Sequence, residues 1–282
     1  DSYFKKVDVI VLAGFQGINT RGFITSLGRG GSDTTAVAIA AATKAKRCDI
    51  YTDVEGIYST DPNIEPKAKK ISKVSYEEML EMSSMGTKVL HKRSVELAMK
   101  NNLTLQVLSS LSNNEGTYVV DEKHLIEKEI VSGVSYSKNE AKITISGIRD
   151  KPGISAKIFG IMAGNNINVD MIVQNISQDG IFANITFTVP AKDMDFSKNL
   201  LEESSNILNF KSISTDDNVA KVSVVGMGMM SQSGVAEKMF KTLAENSINI
   251  LAISTSEIKI SVLINKKYTE LAVKSLHEVY NI

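Results

Sequence analysis

From residue 142 onward the sequence runs through one pattern twice. "KITISGIRDKPGISAKIFGIMAGNNINVDMIVQ" (Lys142–Gln174) aligns, with a two-residue insertion, on "KVSVVGMGMMSQSGVAEKMFKTLAENSINILAI" (Lys221–Ile253). Gly153 meets Gly234, Lys157 meets Lys238 and Phe159 meets Phe240; Ala163, Asn165, Ile167 and Asn168 meet Ala244, Asn246, Ile248 and Asn249. Each copy reads as a strand, a glycine turn, an amphipathic helix, a turn around Ile-Asn and a second strand. Further strands follow, "GIFANITFTV" in the first copy and "EIKISVLI" in the second, with a last helix over Thr269–Val279. The pattern predicts a βαββαβ unit present twice. One copy is too small to bury its apolar faces well, so pairing between copies or between chains is expected.

The first half has a different texture. Val7–Leu12 reads as a fully buried strand and Phe23–Leu27 as a short one. Thr34–Lys46 reads as an alanine-rich helix capped by Ser32 or Asp33. Cys48–Val54 is the next strand, and this β-α-β rhythm argues for an open, mostly parallel sheet with helices on its faces. Asn63–Lys70 is a polar loop. Tyr76–Met82 is a helix whose Ser75 and Glu78 form a capping box, Thr87–Lys100 a second helix, and "TLQVLSS" a buried strand. The expected division is 1–125, 126–215 and 216–282. A buried strand so close to the first residue, which is Asp1 and not methionine, predicts a further segment upstream.

Bulk properties exclude several functions. Lys and Arg number 32 and so do Asp and Glu, so no net field draws nucleic acid or an anionic membrane surface. The longest apolar runs fall far short of the roughly 20 residues a membrane helix needs. A single cysteine, Cys48, rules out an internal disulfide, which suits a reducing, cytoplasmic setting. His91, His124 and His277 show no metal-ligand spacing. Met227, Met229 and Met230 are expected to pack at the surface between the repeats.

Three short clusters carry the chemistry. In "LGRGGSDTTA" the backbone at Gly28, Gly30 and Gly31 is bare, so successive N–H groups can form a concave anion site at a helix start. Arg29 adds a planar fork suited to a carboxylate, and Asp33, beside Ser32, suits an ammonium. Carboxylate plus ammonium is the signature of a free α-amino acid. The same residues equally describe a flexible turn with a helix cap. In "YTDVEGIYSTDPN" a strand end delivers Thr52 and Asp53, where open α/β sheets place ligands, and Tyr58 offers an aromatic face; an ordinary βα loop remains the alternative. In "SSMGTKVLH" Lys88 falls in a helix's first turn, where a cation opposes the helix dipole unless a phosphate lies near it.

In this order and together, these clusters resemble the motifs of the aspartokinase family of amino-acid kinases, and the two repeats resemble the pair of ACT domains that follows the kinase domain there. The resemblance implies ATP-dependent phosphorylation of the L-aspartate β-carboxylate to 4-phospho-L-aspartate, assisted by Mg²⁺. Carried over by position, Arg29, Gly30, Gly31, Ser32 and Asp33 would bind aspartate. Ser32, Thr52, Asp53, Tyr58, Ser59, Thr60, Asp61 and Pro62 would line the nucleotide, and Lys88 would reach its phosphates. Arg29, Asp33 and Lys88 would be the catalytic set, with no resident metal. The ACT pair implies feedback by lysine, with threonine as a possible second effector, and a homodimer or higher oligomer formed through these domains. The implied effector residues are Asp150, Asn168, Val169, Asp170 and Gln174 in the first copy and Gly234, Val235, Ile248, Asn249, Thr255 and Ser256 in the second. Against the family pattern, the opening K-x-G-G-T-S motif is absent, Asn63 stands where many relatives carry arginine, Lys92 where proline is usual, and "SQSG" replaces "SHPG". The competing expectation from the missing motif is a non-catalytic, amino-acid-binding regulatory subunit.

Overall fold

The computed structural model describes residues 6–84, 89–125 and 129–282. The chain forms two compact units. One holds the residues up to Ser135 with Val225–Gln232 and Tyr280–Ile282; the other holds Tyr136–Val224 and Ser233–Val279.

In the first unit, β1 (Gln16–Ile18) and β2 (Ile24–Ser26) form a separate antiparallel hairpin. The main sheet is built from β3 (Cys48–Thr52), β4 (Lys73–Ser75), β5 (Leu105–Ser109) and β6 (Thr117–Val120), in the order β3-β5-β6-β4. The pairs β3/β5 and β4/β6 are parallel and β5/β6 is antiparallel. Three helices cover it: α1 (Gly31–Ala42), α2 (Tyr76–Ser84) and α3 (Lys92–Lys100). Val37, Ile50, Met79, Met82, Val95 and Val107 are among the side chains of one buried core, which removes their apolar surface from water and is the main force holding these layers together.

Several expectations for this half need correction. Val7–Leu12 forms no strand, and Val11 is 91% exposed. A run of apolar residues becomes a buried strand only between flanking strands, and among the described residues none pairs with it. Phe23–Leu27 does contain a strand, but in the hairpin and not in the sheet. The first helix starts three residues early and ends at Ala42; its cap is Gly30 in a left-handed conformation (φ 73°), with Ser32 and Asp33 inside the first turn. The helix expected over Thr87–Lys100 is described only from Lys92, capped by His91, whose Nδ1 accepts the Arg93 N–H. Thr87 and Lys88 lie outside the described residues.

The capping box at Ser75 and Glu78 is present, and it extends further. Glu78 is 3% exposed. One carboxylate oxygen accepts from the Ser75 N–H and hydroxyl (3.0 and 3.1 Å); the other accepts from the Ser132 hydroxyl (2.6 Å) and the Met227 N–H (3.0 Å). Met227 heads the 3-10 turn Met227–Ser231, and this turn belongs to the first unit. The methionines expected between the repeats are therefore elsewhere: a buried carboxylate needs hydrogen-bond donors, and the Met227 amide supplies one.

The second unit is one six-stranded sheet in the order β11-β12-β10-β7-β9-β8. Its strands are β7 (Gly133–Arg149), β8 (Asp170–Ile176), β9 (Phe182–Pro190), β10 (Ser212–Val225), β11 (Ile250–Thr255) and β12 (Lys259–Asn265). Its helices are α4 (Ile154–Gly164), α5 (Met194–Glu203), the single turn α6 (Ser205–Leu208), α7 (Val235–Glu245) and α8 (Thr269–Tyr280). The long strands β7 and β10 run side by side, tied at the ends of their ladder by Ser132 N–H to Val225 O and Lys211 N–H to Ser146 O. Each therefore serves both repeats. The first repeat is the back of β7, α4, β8, β9, α5 and the front of β10, a βαββαβ unit in unbroken order. The second takes the back of β10, α7, β11, β12 and α8, with its fourth strand supplied by the front of β7. Both βαββαβ units are present, and the chain makes the second by reusing a strand it had already laid down.

Candidate functional site

The site lies at the carboxyl edge of β3 and β5. Only Thr43–Arg47 separates α1 from β3, so the helix runs back along the strand; 12 helical residues rise about 18 Å and 5 strand residues about 17 Å, so the start of α1 returns to the end of β3. The connection from α3 to β5 is equally short, Asn101–Thr104. Two helix N-termini and two strand C-termini thus converge. Contact at the edge itself bears this out: a Cβ on Gly30 would lie 2.3 Å from the His91 side chain, which caps α3. Gly30 must be glycine on two grounds, its positive φ and this close approach.

Around this edge Gly28, Arg29 and Ser32 are exposed and Asp33 is half-buried, while Gly31 is buried. The Ser32 hydroxyl donates to Asp33 (3.2 Å), and the hydroxyls of Thr34 and Thr35 donate to the carbonyls of Gly30 and Gly31. Arg29 makes no hydrogen bond or ion pair among the described residues, so its guanidinium is open to a ligand. Thr52 ends β3, and its hydroxyl donates to Asp53 (3.1 Å); Asp53 is exposed. The positive ends of two helices and the Arg29 charge make this edge a place for anions.

The rest of the expected nucleotide stretch runs from half-buried Tyr58 through buried Ser59 and Thr60 to exposed Pro62. Tyr58 is half-buried and bridges to Lys70. Ser59 is buried, with its hydroxyl accepting the Lys69 N–H (3.0 Å). Thr60 is buried, and its hydroxyl has no partner among the described residues. Asp61 accepts from the backbone and side chain of Asn63, closing a turn that leaves Pro62 exposed. A cavity of about 640 Å³ is lined by Ser59, Lys69, Lys70, Lys73, Glu78 and Ser132 among others; none of Arg29, Asp33, Thr52 and Asp53 borders it. Lys88, the third expected catalytic residue, lies outside the described residues.

Sequence reasoning missed His91 and Arg93. His91 joins the starts of α1 and α3, and Arg93 donates to the Leu27 carbonyl at 3.5 Å, bringing a second cation to the glycine loop. Histidine is not among the usual helix caps, so no local signal marked it. Cys48 is buried, and burial pushes its thiol up to about 11, so it is protonated and unreactive at neutral pH.

In the second unit, Gly153 and Gly234 cap α4 and α7 with φ of 88° and 90°, and open space lies beside both. At α4, the Ser155 hydroxyl donates to Gln174 (3.3 Å) and the Gln174 amide to Asp150 (3.4 Å), gathering a polar group at the helix start. Asn168 is exposed and Val169 half-buried. Asp170 is held by the Lys221 ammonium. At α7, Val235 and Ile248 are buried, which leaves only their backbone for a ligand; Asn249, Thr255 and Ser256 are exposed.

Comparison with known proteins agrees with this layout. The amino acid kinase family model matches residues 2–109, and an ACT domain model matches 143–204 and 222–280. Aspartate kinase of Pseudomonas putida is 49% identical over 279 residues, covering 99% of this chain and 68% of that protein. Aspartokinase of Helicobacter pylori is 52% identical over 278 residues, covering 97% and 68%. Among solved structures, E. coli aspartokinase III with aspartate and ADP superposes with a TM-score of 0.81 at 30% identity, over 94% of this chain and 59% of that one. The same enzyme with lysine and aspartate gives 0.72, over 94% and 58%. The chain thus spans about two thirds of these curated relatives and less than two thirds of the crystallised enzyme. With its glycine loop, its strand-end Thr-Asp pair and its twin repeats in the order found there, the chain belongs to the aspartokinase family.

Proposed function

We propose that the protein transfers the terminal phosphoryl group of ATP to the β-carboxylate of L-aspartate. The observation that carries this reading is the converging edge itself: two helix N-termini, Arg29 with no ion pair among the described residues, and Thr52 with Asp53 at a strand end. Arg29 and the N–H groups at the start of α1 hold one carboxylate of aspartate, and Asp33 holds its ammonium. Asp53 and Thr52 bind the nucleotide, and Lys88 neutralises its phosphates. A β-carboxylate with an ordinary pKa near 4 is already ionised at pH 7, so no general base is required. Its oxygen attacks the γ-phosphorus, the bond to the β,γ-bridging oxygen breaks, and ADP leaves with the electron pair. The protein's work is alignment and charge neutralisation. Magnesium would arrive on the phosphates of ATP.

The second unit supplies regulation in this reading. An amino-acid effector, lysine with or without threonine, is recognised at Asp150, Gln174 and the start of α4, and at Gly234 and the start of α7. The strands β8 and β11 expose Ile172, Ile176 and Ile253, apolar surface suited to a second copy of the chain. The division at residues 125 and 215 and a cytoplasmic setting belong to the same proposal. No described helix is long and apolar enough to cross a membrane.

The test is aspartyl hydroxamate formation from ATP and aspartate. Arg29→Ala should lower kcat/KM for aspartate about 100-fold, the scale of a lost charge-assisted contact, with the KM for ATP little changed. Aspartate turnover that survives Arg29→Ala intact sinks the assignment of this edge.

A further inference from the structure

The loop that follows β3 is tied down on two sides. It runs from Asp53 to Tyr58, directly after Thr52. On its inner side the buried Thr117 hydroxyl accepts the Ile57 N–H (2.8 Å) and donates to the Ile71 carbonyl (2.6 Å). Gly56 has a φ of +149°, and a Cβ there would lie 2.6 Å from that hydroxyl. Burial and close contact fix this half of the loop.

On the outer side the tie is Glu55. One of its carboxylate oxygens accepts from the Asn114 amide (2.9 Å) and the Ser112 hydroxyl (3.4 Å). The other lies 3.9 Å from the Lys70 ammonium, which itself donates to the Glu115 carbonyl (2.7 Å). Ser112, Asn114 and Glu115 belong to the connection between β5 and β6. That connection starts in register with β3: Thr52 pairs with Ser109, and the Ser110 N–H donates to the Thr52 carbonyl (2.8 Å). Two loops leaving adjacent parallel strands are thus joined at their bases by the ladder and further out by one side chain. Glu55 is half-exposed, so it contributes little to the core. Asp53 lies two residues before it, with its carboxylate exposed beside the Thr52 hydroxyl.

We infer that Glu55 is a positioning residue for the nucleotide: by gripping the β5–β6 connection it holds the outer half of the loop, and with it Asp53, in the conformation that receives ATP. It acts through Asp53 and Thr52 and makes no contact with the nucleotide. The inference rests on the placement of ATP at those two residues proposed above. A loop that is ordered for part of the time binds in proportion to that fraction. Two hydrogen bonds and an ion pair to a half-exposed carboxylate raise the ordered fraction by about fivefold.

The experiment compares wild type, Glu55→Ala, Glu55→Gln and Ser112→Ala/Asn114→Ala. Calorimetry gives ADP affinity, and hydroxamate formation gives kcat and both KM values. Glu55→Ala should weaken ADP binding and raise the KM for ATP about fivefold, with kcat and the KM for aspartate changed less than about twofold. Glutamine keeps an oxygen for Ser112 and Asn114, so Glu55→Gln should bind ADP within about twofold of wild type. Removing the two partners should reproduce the Glu55→Ala loss, and all three changes together should be no worse than Glu55→Ala alone, since each breaks the same link. Unchanged ADP affinity in Glu55→Ala overturns the role, even if its thermal stability falls. Equal losses in Glu55→Ala and Glu55→Gln, or losses that add fully with those of the partners, overturn it as well. A wild-type protein that neither binds ADP nor forms hydroxamate defeats the placement of ATP itself, and this inference falls with it.

Discussion

The two repeats of the second unit share a skeleton and little else. Both helices start at a left-handed glycine, Gly153 or Gly234. Both bury the same three positions, Ile154, Ile158 and Met162 in α4 and Val235, Met239 and Leu243 in α7. Both end in the same closing motif. The Ile167 and Ile248 N–H groups reach back five residues to the carbonyls of Met162 and Leu243 (3.0 and 2.9 Å), and Asn165 and Asn246 bond a carbonyl four residues back. The polar groups are not duplicated. Ser155, Asp170 and Gln174 correspond to Ala236, Leu251 and Thr255. Folding demands cap geometry and apolar spacing, so both copies keep them; binding demands particular charges, and the copies are free to differ in those.

The strongest way to break this comparison is at the buried helix positions. Ile158 and Met239 occupy equivalent places and are both fully buried. Ile158→Ala and Met239→Ala should each lower the stability of the second unit by about 3 kcal/mol, the usual cost of emptying such a site. Urea unfolding of both variants checks it. Costs that differ by more than about 1.5 kcal/mol would show that one copy collapses around a cavity better than the other, and the skeletons would then not be equivalent.

Much of this was legible from local pattern because local chemistry determines it. The cap glycines Gly153 and Gly234 and the Ser75–Glu78 box act over three to five residues, and these features stand where the sequence placed them. What failed was non-local. The apolar run Val7–Leu12 carries every local mark of a buried strand, yet burial is a property of neighbours. Met227 looks like a repeat-surface residue until the Glu78 carboxylate, 149 positions away in the chain, is seen to hold its amide. The sharing of β7 and β10 between repeats was equally invisible, since each half-strand looks complete by itself. At the candidate site, Arg29, Asp33, Thr52 and Asp53 were identifiable from glycine spacing and strand ends. His91 and Arg93 were not, because what matters in them is their position against Gly30 and Leu27.

A second difference between the copies lies just before their helices. The segment leading into α7 belongs to the first unit, where Glu78 accepts the Met227 N–H; the segment leading into α4 is held within the second unit, by Asp150 N–H to the Ile181 carbonyl and by the Gln174 amide to Asp150. Glu78→Ala leaves the Ser75 N–H and hydroxyl, the Ser132 hydroxyl and the Met227 N–H without this acceptor and should cost about 2 kcal/mol. Hydrogen exchange should rise at Met227 and at Ser75–Glu78, with exchange at Asp150 unchanged. Equal loss of protection before both helices would mean that the segments leading into α4 and α7 are coupled and the asymmetry is only superficial.

The finest test concerns how the two helices stop. After α4 and α7 the backbone enters the left-handed region at Asn166 (φ 57°) and Ser247 (φ 55°). Asparagine tolerates that region better than serine, because its short amide hydrogen-bonds locally, and glycine tolerates it best. The same change therefore should not give the same gain. Ser247→Gly removes a Cβ penalty and should stabilise the unit by about 0.5–1 kcal/mol. Asn166→Gly relieves less strain while adding the same freedom to the unfolded chain, so it should fall within about 0.3 kcal/mol of wild type. Thermal unfolding of the two single variants resolves the ordering. A gain at Asn166 equal to that at Ser247 would mean that the strain at the two helix ends is the same and that the residue difference between the copies carries no energetic weight.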